Sequence, residues 1–254
     1  MGNLMKTEWY KLRKDRSFWV LTLFLIAFAV LYPLDQMRLF EGVSNLPSGN
    51  DFYRGYVLSI NDQIVRLFPA ILAGFFIASE YSMGTMKNIA SSGNSRIRIY
   101  FAKLTVFSIG SIIILLILPI LMTGASAIYS GFNIMPEWTF FFQTIGLITL
   151  YAAAFASIMA LFSVIFTDSG KAIAFLLLFF GLIGSLLEFL SAKVSFLEPI
   201  ITHSIFMSHE SILTIDQIGH WNGDDVLTFI VVPILTFLVF GILGSFIFRK
   251  KEIK

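Results

Sequence analysis

Two scarcities limit what this chain can be: it has no cysteine and few charged residues. Without cysteine there is no disulfide, no thiolate nucleophile and no Cys-ligated zinc. Charged residues make up 13% of the 254 residues, roughly half the usual share in soluble domains, whereas hydrophobic residues make up 57%. The net charge of +2 gives no basis for binding nucleic acid. These values predict one integral membrane domain over residues 1–254, without a separate soluble domain.

A nucleotide-binding loop is also missing. A P-loop requires the pattern G-x-x-x-x-G-K-[ST] at a strand-to-helix turn. The nearest stretch, "TDSGKA", has Ile165 at the position of the first glycine and Ala172 at the position of the hydroxyl residue. We therefore predict that the chain has no catalytic residues of its own and binds no cofactor, so any ATP and Mg²⁺ belong to a partner subunit.

What the sequence does contain is six apolar segments. Each is close to the ~20 residues that a helix needs to cross a membrane. They cover approximately residues 18–34, 57–79, 104–130, 140–166, 172–190 and 226–248. The predicted fold is an all-α membrane protein with six transmembrane helices. Small residues at Ala152, Ala156 and Ala160, and at Gly241 and Gly244, predict close packing between helices.

Positively charged residues lie mainly on one side of this topology. Of the 18 Lys and Arg residues, 14 fall in residues 1–17, in 80–103, at Lys171 and after residue 248. The flanks of transmembrane helices that are rich in Lys and Arg usually face the cytoplasm. We therefore predict a multi-pass protein with both termini in the cytoplasm.

The N-terminal segment contains "MKTEWYKLRKDRSFW". Met5, Trp9 and Leu12 recur at i, i+4 and i+7 and so share one apolar stripe, while cations occupy the other faces. This pattern predicts an interfacial helix over residues 1–17 that lies in the plane of the lipid membrane. The alternative is a solvated basic extension that fixes topology by attraction to anionic lipid.

Between the second and third apolar segments lies a polar, basic stretch, "SEYSMGTMKNIASSGNSRIRIYFAK". It predicts a short helix over residues 80–92, a break at "SSGNS", and Ser95 as the N-cap of the third span. Such a helix, held between two spans, is suited to transmitting force from another protein. A simple loop whose cations anchor topology explains the same residues equally well.

The order of these segments resembles the permease subunit of ABC-2 type transporters. In that family a Glu opens the stretch after span two, a Gly-Thr pair follows, and a Ser-Arg leads to a Lys at the foot of span three. The matching residues are Glu80, Gly84, Thr85, Ser95, Arg96 and Lys103. The resemblance implies that residues 80–92 are the cytoplasmic coupling helix, which docks on an ATP-binding subunit through Glu80, Tyr81, Met83, Gly84, Thr85, Met86 and Lys87.

The same resemblance implies a larger assembly and a class of cargo. Two copies of the ATP-binding subunit and a second permease, identical or related, would complete the transporter. The chain is most similar to small bacterial permeases that export peptides, such as bacitracin and lantibiotic immunity transporters and phenol-soluble modulin exporters. This implies export of amphipathic, antimicrobial or toxin peptides at the bacterial cell membrane.

Candidate pathway residues come from spans two and five, which line the path in the family that the chain resembles. Asp62 and Arg66 are four residues apart, in the favourable order for an i, i+4 ion pair. Intramembrane charges usually face a protein interior or an aqueous cavity, although a pair in the wet outer interface is the alternative. An apolar wall for a peptide is expected from Phe68, Phe75, Phe175 and Phe179. Phenylalanine that simply faces lipid explains these four residues as well.

The long segment 191–225 is predicted to lie outside and, by likeness to related families, to be re-entrant. Its "HESIL" lacks the second histidine of the zinc motif H-E-x-x-H, because Leu213 occupies that position. We therefore expect no metal site and treat His203, His209 and His220 as ordinary residues of this segment. Two alternatives to a permease stay open: a membrane-embedded enzyme that uses the His and acidic residues of 191–225, and a non-transporting membrane anchor or sensor.

Overall fold

The computed structural model describes residues 2–39, 48–90, 93–130, 132, 134–212, 225 and 227–251. These residues are 91% helical and form no strand, which confirms the all-α prediction. Within them, six helices are long and apolar enough to cross a membrane. Spans one to six, in chain order, are Arg16–Leu39, Gly49–Ser82, Arg96–Tyr129, Trp138–Ile165, Ser169–Lys193 and Leu227–Lys250.

Shorter helices lie outside the spans. The N-terminal helix covers Gly2–Lys14, and Thr85–Ala90 follows span two. The connection between spans five and six contains Glu198–Thr202 and Ile205–Ser211. Residues 213–224, the rest of that connection, lie outside the described residues.

Spans two and three begin well before their apolar segments because polar residues cap them. The Ser48 hydroxyl accepts a hydrogen bond from the Asp51 backbone N–H at 3.2 Å, and the helix begins at Gly49. The Ser95 hydroxyl likewise accepts a hydrogen bond from the Arg98 backbone N–H at 3.4 Å, which confirms Ser95 as the predicted N-cap of span three. Each cap satisfies one backbone donor that the first helical turn leaves without a partner. Apolar content alone therefore underestimated the length of both helices.

Span four is the centre of the bundle. Of its most apolar stretch, 72% lies inside the protein, against 11% for span five. Its alanine ridge, Ala152, Ala156 and Ala160, is fully buried. Two hydroxyls also bind span six, because Tyr151 and Ser157 donate to the Thr228 and Thr236 carbonyls at 3.4 and 3.5 Å.

Glycine permits the closest approach between spans six and three. A Cβ at Gly244 would lie 1.9 Å from the Tyr100 hydroxyl oxygen, so only glycine leaves room for that side chain. Span two approaches span five in the same way, since a Cβ at Gly74 would lie 2.2 Å from the Ile173 side chain. These contacts place spans two to six around one buried core, with span one packed on its side.

The two ends of the bundle differ in charge. One end, called the basic end here, carries the N-terminal helix, residues 79–90, the start of span three and Lys251. The opposite end carries the starts of spans two and four, where the Glu137 N–H donates to the Asn50 side chain at 2.9 Å. Buried charged groups lie at the basic end and in the middle part of span two, and these are the two candidate functional regions.

Candidate functional site

Residues 79–90 form a bent segment at the basic end, called the coupling segment here. The sequence predicted one helix over 80–92, whereas the structure has a turn between two helical pieces, Ser79–Ser82 and Thr85–Ala90. Gly84 makes the bend, with a φ of 69° in the left-handed region that suits glycine. The Thr85 hydroxyl donates to the Glu80 carbonyl at 3.3 Å and holds the pieces together. Residues 91 and 92 lie outside the described residues.

Glu80 anchors this segment inside the protein. Its carboxylate pairs with Lys11 of the N-terminal helix and with Lys103 of span three, each at 2.9 Å. Glu8 binds the same two ammonium groups, Lys11 at 2.7 Å and Lys103 at 2.8 Å. These four side chains, called the charge cluster here, balance two negative charges against two positive ones. They join three separate parts of the chain at one point.

Burial makes the charge cluster energetically important. The Lys103 side chain is 2% exposed, and its ammonium also lies 5.0 Å from the centre of the Phe76 ring. Burial alone would raise the pKa of Glu8, but the charge of Lys103 and hydrogen bonds from Lys103 and Lys11 hold it below its ordinary value of 4.5. Burial likewise opposes the charge of Lys11, yet Glu80 and Glu8 raise its pKa above 10.5. The opposite charges and the hydrogen bonds therefore favour the charged forms of Glu8 and Lys11, against the effect of burial.

The other residues predicted to contact a partner divide into two groups. Met86 is 1% exposed and packs in the core, and Tyr81 is half-buried. Met83 is 66% exposed, and Gly84, Thr85 and Lys87 are also exposed. The segment thus presents a small surface at its bend, while Glu80, Tyr81 and Met86 hold it from behind.

A cleft of about 830 Å³ lies beside the coupling segment. The N-terminal helix forms one side through Leu4, Glu8 and Lys11, and the other side is formed by Asn88, Ile89 and Asn94. The charge cluster therefore borders an open concave surface at the basic end.

The predicted apolar stripe of the N-terminal helix is divided between two environments. Leu12 is fully buried, and Gly110 of span three makes room for it, since a Cβ there would lie 3.1 Å from Leu12. Trp9 is 36% exposed, and Met5 is half-buried. Sequence reasoning missed Glu8, which lies on the face that contacts the protein. An in-plane position for this helix stays a prediction.

A second buried charged group lies in the middle part of span two. The predicted i, i+4 pair forms, with Arg66 Nη2 3.1 Å from an Asp62 carboxylate oxygen. Asp62 is 5% exposed, whereas the Arg66 side chain is 23% exposed. His209, treated as an ordinary residue from the sequence, lies with Nδ1 2.8 Å from Asp62 and with its ring between Tyr151 and Phe155. Nothing in the local sequence indicates this long-range pair.

The four phenylalanines expected to line a path have different surroundings. Phe68 stacks on a span-one phenylalanine, and Phe75 is exposed. Phe175 and Phe179 contact Phe162 of span four at ring distances of 5.0 and 5.1 Å. Their role in transport stays a prediction. Among the described residues there is also no group of three His, Cys, Asp or Glu able to hold a metal.

Six apolar helices define a helical multi-pass membrane protein, and its basic end carries an exposed segment that is anchored by buried charges. Residues 4–185 match the family model described as ABC-2 family transporter protein, and this match covers well over half of the chain. The chain therefore belongs to the ABC-2 transporter family and is a permease subunit, which pairs with an ATP-binding subunit. No curated protein matches it.

Proposed function

We propose that this permease exports amphipathic, antimicrobial or toxin peptides from a bacterial cell. The working complex contains two ATP-binding subunits, which hold ATP and Mg²⁺, and a second permease that is identical or related. The basic end faces the cytoplasm, as the distribution of Lys and Arg favours. The coupling segment then lies on the side where ATP is available.

The observation that carries the coupling proposal is the charge cluster behind an exposed bend. Met83, Gly84, Thr85 and Lys87 form the surface that an ATP-binding subunit contacts. Directly behind them, Glu80 pairs with Lys103 and Lys11. Movement imposed on the bend therefore reaches span three and the N-terminal helix through ion pairs that are largely out of water.

A peptide cargo is supported by the chemistry of the spans. The chain has 28 phenylalanines, and several lie on spans two, four and five. Asp62, Arg66 and His209 add a polar group in the middle part of span two. An amphipathic peptide offers both an apolar face for the aromatic rings and charges for this group.

The docking surface is tested by changing Gly84 in two ways. Gly84→Trp adds a bulky side chain at the bend, where a Cβ would have no other atom within 4 Å, so the bulk projects toward the partner. Gly84→Asn is the matched control, because Asn tolerates the left-handed backbone with little added volume. We expect Gly84→Trp to abolish retention of the ATP-binding subunit on co-purification, whereas Gly84→Asn retains it.

The cargo is tested separately with the assembled complex in nanodiscs. A cationic amphipathic peptide should stimulate ATP hydrolysis, and a polar peptide of equal length and charge should not. Equal responses to both peptides would contradict the cargo class without affecting the docking proposal.

Full retention of the ATP-binding subunit by Gly84→Trp would contradict docking at this bend. Failure of the parent chain to bind any ATP-binding subunit would favour the anchor or enzyme alternatives.

A further inference from the structure

Lys251, the residue that follows span six, reaches across the basic end to the end of span four. Its ammonium donates hydrogen bonds to the carbonyls of Val164, Ile165 and Phe166, the last two at 3.2 and 3.1 Å. The last carbonyls of a helix have no partner within the helix and carry its negative end. A cation at this position therefore stabilises the end of the most buried span.

The same ammonium contacts the coupling segment. It lies 3.9 Å from the centre of the Tyr81 ring, within the range of a cation–π interaction. The Tyr81 ring also meets Phe248 of span six, edge to face, at 6.5 Å. One side chain thus contacts both the coupling segment and span four.

The backbone around Lys251 is itself fixed. Arg96, the first residue of span three, donates from Nη1 to the carbonyl of Arg249 at 3.0 Å and to that of Lys251 at 2.7 Å. Because these bonds hold the end of span six, the Lys251 side chain starts from a defined position.

We propose that Lys251 is a positioning residue for ATP-driven transport, acting through Tyr81. This proposal rests on the coupling function proposed for residues 79–90. Glu80 attaches the segment to span three and the N-terminal helix. Its neighbour Tyr81 attaches the same segment, through Lys251, to the end of span four. Displacement of the bend therefore reaches the central span directly, as well as span three.

The test uses the whole complex with its ATP-binding subunit in nanodiscs. Lys251→Met keeps the length of the side chain and removes its charge, whereas Lys251→Arg keeps a cation that stacks on aromatic rings and donates to carbonyls. Lys250→Met is the matched control, because Lys250 is the neighbouring cation and is exposed. The measurements are retention of the ATP-binding subunit and the stimulation of its ATP hydrolysis by the permease.

We expect Lys251→Met to retain the subunit but to lose stimulation by about fivefold, the lower range of coupling between distinct sites. Lys251→Arg should restore most of that stimulation, and Lys250→Met should behave like the parent. If Lys251→Met folds poorly, Tyr81→Leu tests the same contact from the other side. Where both variants fold, the double variant should lose no more than either single one, because the two residues act through one contact.

Three results would overturn the proposal: full stimulation by Lys251→Met, no rescue by Lys251→Arg, or additive losses in the double variant. These outcomes are distinct from failure of the docking proposal. That failure appears as full subunit retention by Gly84→Trp, in a protein where Lys251 is unchanged. Loss of docking in Gly84→Trp together with normal stimulation in Lys251→Met would refute the role of Lys251 alone.

Discussion

Replacing Lys103 by Met tests whether the charge cluster holds the basic end together. The Lys103 ammonium is buried and contacts the carboxylates of Glu8 and Glu80 at 2.8 and 2.9 Å. Its loss leaves two carboxylates with only Lys11, so the neutral cluster acquires one net negative charge. Removing one partner of a buried ion pair costs about 3–5 kcal/mol, because the remaining charge lacks compensation. Lys11→Met should cost less, about 1 kcal/mol, because the Lys11 side chain is 31% exposed and water screens its loss.

A double-mutant cycle separates the ion pair from general damage. Glu8→Gln combined with Lys103→Met removes one charge of each sign and leaves Glu80 paired with Lys11. The double variant should therefore lose less free energy than the two single losses combined, with a coupling energy of about 2 kcal/mol. Amide hydrogen exchange over residues 2–14 in nanodiscs measures the free energy of local opening of the N-terminal helix.

The reasoning has clear points of failure. Equal exchange in Lys103→Met and the parent would mean that the buried ion pairs do not hold the N-terminal helix. Strictly additive effects of Glu8→Gln and Lys103→Met would mean that the two charges act independently. A larger effect for Lys11→Met than for Lys103→Met would contradict the importance assigned to burial.

Two further predictions concern the pH dependence of the charge cluster and the ion pair of Asp62. The lowered pKa of Glu8 gives stability that is present above pH 4.5 and is lost as the pH falls below this value. The raised pKa of Lys11 gives stability that is present below pH 10.5 and is lost as the pH rises above this value. The free energy of local opening of residues 2–14, obtained from hydrogen exchange after correction for the intrinsic pH dependence of amide exchange, should therefore fall below pH 4.5, and it should fall less in Glu8→Gln. A pH-independent opening free energy in the parent would refute this. In span two, Asp62→Asn should lower the midpoint of thermal unfolding, because Arg66 and His209 lose the anion that both contact. The expected decrease is about 2–4 °C, the shift that 1 kcal/mol produces in a chain of this size. Asp62→Glu keeps the negative charge and should therefore lower the midpoint less than Asp62→Asn does. Equal midpoints for the parent and Asp62→Asn would refute the role of the Asp62 ion pair.

The spans were predictable because their signal is local. Apolar runs give their number and order, and Ser95 was identified as an N-cap from its position before a basic, then apolar, run. Early helix starts were harder, since Gly49 begins a helix in a polar stretch that hydropathy does not detect. The bend at Gly84 was also missed as a break, although a glycine inside a short helical pattern is a recognised signal.

The site was less predictable because its partners are distant in sequence. Glu80 was identified through its family position, but as a contact for another protein, whereas its carboxylate faces Lys11 and Lys103. Glu8 was overlooked because a lone acid in a basic helix usually faces solvent. His209 and Asp62 belong to segments that meet only in the folded chain. A single sequence carries no signal for such pairs.

The use of charge rather than apolar packing at the basic end has a mechanical consequence. Apolar surfaces are not directional and tolerate sliding, whereas the charge cluster requires particular distances between four groups. Displacing Glu80 while Lys103 stays in place would leave the buried ammonium of Lys103 without one of its two carboxylate partners. Because the protein interior solvates a charge poorly, this loss costs several kcal/mol. The lower-energy response is for span three and the N-terminal helix to move together with the coupling segment. The charge cluster can therefore determine which helices respond if an ATP-binding subunit docks on the bend at Gly84, as proposed, and moves it.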